Sequence, residues 1–140
     1  MVERPLPVSL QRSFDSTKVE YVKLGTSGLQ VSFPILGAMS LGSSQFAPWV
    51  LDEDASLKIL KAAYDCGINT WDTANTYCNG LSEEIIGKAI QKFNIPRHKL
   101  VILTKCAFVV GDEPDVIGGL YADRIGKSKD YVNQGGKDHP

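Results

Sequence analysis

The hydrophobic positions of this chain change period several times, and each change marks an element. Residues 21–24 (YVKL) and 29–32 (LQVS) are short alternating runs flanking Gly25-Thr26-Ser27-Gly28, whose two glycines can supply positive φ. They predict a β-hairpin of two half-buried strands. Residues 34–39 (PILGAM) predict a short buried strand, and Gly42-Ser43-Ser44 opens a long polar loop after it. From Asp52 the period becomes helical. Leu57, Leu60, Ala63 and Tyr64 recur at three- and four-residue steps, Glu53 and Asp54 suit a positive helix end, and Gly67 follows the finish. The spacing predicts a helix over 53–66 capped by Asp52. Residues 68–72 (INTWD) predict the next strand. Ser82 is placed to cap a second helix, with Glu83 and Glu84 at the dipole's positive end and Ile85, Ile86, Ala89, Ile90 and Phe93 as its buried stripe, finished before Pro96. Residues 100–104 (LVILT) are almost continuously apolar, the pattern of a parallel strand covered on both faces.

A hairpin followed by βαβαβ requires a parallel sheet with right-handed crossovers. Doubly wound and closed-barrel arrangements both satisfy it, and periodicity does not choose between them. In a barrel, Ile35, Ile68, Trp71 and Ile102 are expected to face inward, where further strands would bury them. Residues 1–18 mix Pro5, Pro7, Ser13, Asp15 and Ser16 without sustained period and are expected to form a flexible leader. After Cys106 the glycines Gly111, Gly118 and Gly119 with Pro114 predict a loop, and 135–140 a polar tail.

Composition narrows the function classes. With 43% hydrophobic and 22% charged residues in 140, the chain can bury the core of one globular domain. Fifteen basic and sixteen acidic residues leave a net charge of -1, so no positive field gathers nucleic acid or anionic lipid, and neither is an expected partner. No apolar run approaches the ~20 residues of a membrane span, and the start lacks the apolar run of a signal peptide, so the expected location is the cytoplasm. Cys66, Cys78 and Cys106 are odd in number, and their spacings of 12 and 28 match neither a disulfide framework nor a zinc site. Free thiols are expected. His98 and His139 are too isolated to make a metal cluster with these cysteines, and no metal is assigned.

Ligands of parallel α/β folds sit at the carboxyl ends of the strands, where this sequence places Asp72 and Lys105. If their strands are neighbours, roughly 5 Å apart, the two side chains meet at one mouth as carboxylate and ammonium. Tyr77 lies on the loop over that mouth. A phenol is a slow acid near neutrality, its ordinary pKa being about 10, but an adjacent ammonium stabilises phenolate and brings it toward the working range. Such a group suits carbonyl reduction, in which an acid protonates the oxygen while hydride reaches the carbon; no side chain supplies hydride, so a nicotinamide cofactor must. Each residue also has a plainer reading: Asp72 as a turn cap, Tyr77 as a half-buried surface aromatic, Lys105 as a solvated charge. No GxGxxG follows a strand and no GxxxxGK[ST] occurs, which disfavours Rossmann and P-loop sites.

Three ordered segments resemble the aldo-keto reductases. LGTSGLQVS followed by LGAMSLG resembles their hairpin and first barrel strand, INTWDTANTYCNGLSEEIIGKAI their signature around the catalytic Asp and Tyr, and LVILTKC the strand of their catalytic Lys. The likeness spans residues 19–134 and is nearest in kind to fungal aryl-alcohol dehydrogenases and potassium-channel β subunits. It implies an α/β fold, an incomplete (β/α)8 TIM barrel with an amino-terminal β-hairpin plus the first three βα strands. It also implies NADPH-dependent reduction of aldehydes or ketones to alcohols. Tyr77 would be the proton donor, Lys105 would tune its pKa, and Asp72 would hold the lysine. Gly37, Ala38 and Met39 fall where the family's first strand loop approaches the cofactor, with Asp72 beside it. A barrel of this type takes about 250 residues. The family's catalytic His belongs to a later strand, and His139 sits in no strand pattern. The chain is therefore expected to be a truncated form, inactive alone unless a second chain completes the barrel. A non-catalytic regulatory or interaction remnant of the same barrel is the alternative.

Overall fold

The computed structural model describes residues 5–113, 116 and 117. The expected features of residues 118–140, among them the tail and His139, lie outside the described residues. The first element is a helix where the sequence predicts none, α1 (Val8–Ser16). None of its residues is buried, so no tertiary stripe marks it in the sequence. Local bonds hold it: the Gln11 amide donates to Asp15 at 2.9 Å, and the Thr17 hydroxyl donates to the Ser13 carbonyl at 2.7 Å.

The expected hairpin follows, with β1 (Glu20–Lys23) antiparallel to β2 (Gln30–Phe33) and Val22 opposite Val31. Only β2 buries residues, Val31 and Ser32, whereas β1 is exposed along its length rather than half-buried. Of the two turn glycines only Gly25 takes positive φ, at 56°. Ser27 supplies the remaining stitch by donating its hydroxyl to the Leu24 carbonyl at 2.7 Å. A buried reciprocal pair docks the hairpin: Ser32 N–H donates to Thr70 Oγ1 at 2.9 Å, and Thr70 N–H donates to Ser32 Oγ at 3.1 Å.

The remaining order is β3 (Leu36–Gly37), α2 (Glu53–Asp65), β4 (Thr70–Asp72), α3 (Leu81–Lys92) and β5 (Val101–Leu103). The three strands form one parallel sheet in the order β3-β4-β5, with Leu36, Trp71 and Ile102 in one row and Gly37, Asp72 and Leu103 in the next. The helices cover one face. Leu57 and Leu60 of α2 and Ile85, Ile86 and Ala89 of α3 close over Ala38, Leu41 and Trp71. A buried Leu or Ile contributes roughly 1.5–3 kcal/mol, and Leu60, Trp71 and Ile85 are wholly inaccessible.

This packing corrects four expectations. Trp71 does not face inward: it lies in the helix-covered core, donating its indole N–H to the Ile68 carbonyl at 2.9 Å, and Ile102 in the same row packs against that core. Ile68 also packs there, while Ile35 stays exposed. β5 is half-buried rather than covered on both faces, because the described helices shield only one side of the sheet. Asp52 occupies the N-cap position of α2, but its carboxylate accepts from Ser44 N–H (2.8 Å) and Ser44 Oγ (3.1 Å), across the loop after β3, instead of capping. Ser82 is not the N-cap of α3: Gly80 is, with φ 97°, and Ser82 lies wholly buried inside the helix. Its hydroxyl donates to the Ala38 carbonyl at 2.9 Å and sits 3.3 Å from the Thr73 hydroxyl. No helix among the described residues is long and apolar enough to cross a membrane.

Candidate active site

The end of β4 carries the first component of the site. Side chains alternate across a strand, so with Trp71 turned to the helices, Asp72 must point to the opposite face. The register puts Gly37 and Leu103 on either side of it. Lys105, two residues beyond Leu103, shares that side. Backbone bonds carry the sheet pattern past the strand ends and fix the two loops together: Thr73 N–H donates to the Leu103 carbonyl (2.8 Å) and Asn75 N–H to the Lys105 carbonyl (3.0 Å).

The Lys105 ammonium is the hub. Its Nζ donates to both Asp72 carboxylate oxygens (2.9 and 2.8 Å), to the Thr73 carbonyl (2.7 Å) and, more loosely, to the Tyr77 hydroxyl (3.3 Å). It also lies 4.9 Å from the centre of the Tyr77 ring. The Asp72 hydrogen bond is the main cause that raises the lysine above its ordinary value of 10.5, and the Tyr77 contact adds to it against partial desolvation. The ammonium therefore stays charged through neutrality. Both groups of the ion pair remain open to solvent, with 49% of the lysine side chain and 34% of the aspartate side chain exposed. The pair fixes geometry more than it adds stability.

Of the positions expected to approach a cofactor, Gly37 and Met39 are exposed at this mouth, Gly37 directly beside Asp72 in register. A Cβ built on Gly37 meets nothing within 4 Å, so a flat group can lie against the strand there. Ala38 turns the other way. It is fully buried, its N–H donates to the Asp72 carbonyl (2.8 Å) and its carbonyl accepts from Ser82, so it supports the mouth from behind.

An apolar cleft of about 220 Å³ adjoins Tyr77, walled by Met39, Phe46, Trp49, Phe108 and Ile117. A larger one, about 710 Å³, lies at the amino ends of the strands near Tyr21, Asn69, His98 and Val101, away from Asp72 and Lys105. Among the described residues no three His, Cys, Asp or Glu side chains converge as a metal site. The three cysteines are free thiols, Cys78 buried and Cys106 exposed.

Sequence reasoning names Asp72, Tyr77 and Lys105, and the structure brings all three together. It misses the Thr73 carbonyl, a backbone group with no sequence signature. It also misses the aromatic wall, because Phe46 and Trp49 stand in a polar loop whose path over the mouth no local pattern reveals.

A barrel-type parallel sheet behind a hairpin, with Asp, Lys and Tyr at its carboxyl mouth, defines a class of protein. Residues 35–134 match the model of the Aldo/keto reductase family, and the chain belongs to that family. Its α/β sheet is part of a (β/α)8 barrel, represented here by the hairpin and three barrel strands. Aldo-keto reductase dtxS3 of Metarhizium robertsii is 54% identical over 135 residues, covering 94% of this chain and 36% of that protein. A Schizosaccharomyces pombe protein named as an aryl-alcohol dehydrogenase is 56% identical over 92 residues, 64% of this chain and 26% of its own length. The holo form of aldo-keto reductase AKR11C1 from Bacillus halodurans superposes with a TM-score of 0.57 at 33% identity, covering 71% of this chain and 29% of that structure. The chain thus spans about a third of the length of the first of these relatives.

Proposed function

We propose that the protein reduces aldehydes or ketones to alcohols with NADPH, and that this mouth is where the carbonyl oxygen is protonated. The observation that carries the reading is the Lys105 ammonium held between the Asp72 carboxylate and the Tyr77 hydroxyl. NADPH, when bound, would supply the hydride for the carbonyl carbon. Tyr77 donates the hydroxyl proton to the carbonyl oxygen, and the negative charge left on the phenol oxygen faces the Lys105 ammonium until a proton returns from solvent. Asp72 anchors the lysine and keeps its charge in place. Gly37 and Met39, exposed beside Asp72, are the residues that would face the cofactor, with Ala38 fixing their strand end.

The wall of Met39, Phe46, Trp49 and Phe108 suits a carbonyl compound with a flat apolar body, in keeping with the aryl-alcohol dehydrogenase name borne by one relative. The cytoplasm, where NADPH is supplied, is the location consistent with this chemistry. Tyr77→Phe preserves ring packing and removes only the acid. In the protein with its barrel completed, and with 4-nitrobenzaldehyde as substrate, kcat should fall by roughly 10²-fold or more while NADPH affinity, read by fluorescence titration, barely changes. Undiminished turnover in the variant would remove Tyr77 from the chemistry.

A further inference from the structure

The turn that follows Tyr77 is built at a conformational cost that the reaction itself does not explain. Cys78 (φ 49°, ψ 42°) and Asn79 (φ 52°, ψ 41°) are consecutive non-glycine residues in the left-handed region, and Gly80 follows at φ 97°. Left-handed backbone penalises a side chain at each step, with Asn among the few types that tolerate it, so two in a row persist only when their surroundings fix them. Both side chains are engaged, in opposite directions. Cys78 is buried against the loop after β3, where a Cβ on Gly42 would collide with its thiol.

Asn79 reaches the loop after β5 and uses its whole amide there. Its Nδ2 donates to the carbonyls of Glu113 and Val116, both at 3.0 Å, and its Oδ1 accepts from Gly111 N–H at 3.2 Å. Four residues earlier, Asn75 Nδ2 donates to the Phe108 carbonyl at 3.0 Å. Every one of these partners is a backbone group, so the bonds fix where the loop runs without depending on its side chains. The loop they hold bears Phe108 and Ile117, two walls of the apolar cleft on Tyr77.

We infer that Asn79, assisted by Asn75, is a positioning residue: its amide fastens the loop after β5 onto the left-handed turn behind Tyr77 and so sets the width of the substrate cleft. The clamp stands on geometry alone, whereas its consequence for turnover rests on the reductase reading. Left-handed φ at position 79 permits a selective test, because glycine adopts it freely. Asn79→Gly keeps the turn and removes only the amide. Asn94→Gly, at another left-handed asparagine (φ 50°), makes the same swap at a distance and serves as control.

Two measurements on the protein separate the outcomes. Amide hydrogen exchange at Gly111 should accelerate by roughly tenfold or more in Asn79→Gly and stay as in the parent in the control. With NADPH, the KM for 2-naphthaldehyde relative to that for propanal should shift by roughly tenfold in the same variant, a selectivity change that general loosening of the fold would not produce. Unchanged Gly111 exchange overturns the clamp. Faster exchange with an unchanged KM ratio overturns its role in shaping the cleft. Turnover is read in the protein with its barrel completed: a completed parent that reduces neither aldehyde defeats the reductase reading, and the exchange measurement on the chain still decides the clamp.

Discussion

Ser82 offers a perturbation in which two readings of one residue rank its Asp and Ala variants in opposite order. As a helix N-cap it would tolerate Asp as well as Ser, and Ala would cost about 1 kcal/mol. The structure instead buries it completely inside α3, where its hydroxyl donates to the Ala38 carbonyl and meets Thr73. Ser82→Ala then removes one of two donors to the Ala38 carbonyl, which keeps Leu41 N–H at 3.0 Å, and takes from the buried Thr73 hydroxyl its Ser82 partner, at a cost of about 1–3 kcal/mol. Ser82→Asp places a carboxylate against that carbonyl oxygen, out of water, with the Thr73 hydroxyl as the one neighbour in this pair able to donate. A poorly paired buried charge costs about 3 kcal/mol or more. Urea unfolding followed by far-ultraviolet circular dichroism reads both variants. With m near 2 kcal/mol/M, Ala should lower the midpoint by about 0.5–1.5 M and Asp by more than Ala. An Asp variant as stable as the parent would mean that the hydroxyl meets water at a helix end, and the link from α3 to β3 would be wrong.

Three further expectations follow from the same contacts. Thr70→Val removes the acceptor of the buried Ser32 N–H and should destabilise by about 1–3 kcal/mol, and a loss below about 0.5 would show the hairpin is not docked through this pair. Because Lys105 is raised above 10.5 chiefly by Asp72, its pairing contributes fully below about pH 10.5 and is lost as pH rises through the raised value. NMR titration of the Lys105 Cε resonance should give a midpoint above 10.5 that falls in Asp72→Asn, and a parent midpoint at or below 10.5 would contradict the contact. Leu60→Ala, at a fully buried α2 position, should cost about 2–5 kcal/mol in the same urea assay, and a loss under 1 would mean α2 does not seal the sheet.

What the sequence disclosed follows the forces that leave a periodic trace. α2 and α3 were readable because burial against one sheet face selects apolar residues every three or four positions, and Leu57, Leu60, Ile85 and Ala89 are buried accordingly. Asp72 and Lys105 were readable because a charge ending an apolar strand has little packing reason to be there. Elements stabilised otherwise stayed hidden. α1 buries nothing, and the partners of Asn79 lie more than thirty positions away. The inward assignment of Trp71 failed because a strand of three residues fixes alternation but not which of its two faces the helices will cover.

That alternation sets a rule for anyone altering this protein. On β4, Trp71 belongs to the row that meets the helices and Asp72 to the row that opens on the mouth, a single peptide apart. Substitutions can retune one row while the other is left intact, since the two never share a surface. Inserting or deleting one residue within the strand grants no such separation. It exchanges the rows, sending an indole to solvent and a carboxylate into hydrocarbon, so frame errors in β4 should cost the fold and the chemistry in the same stroke.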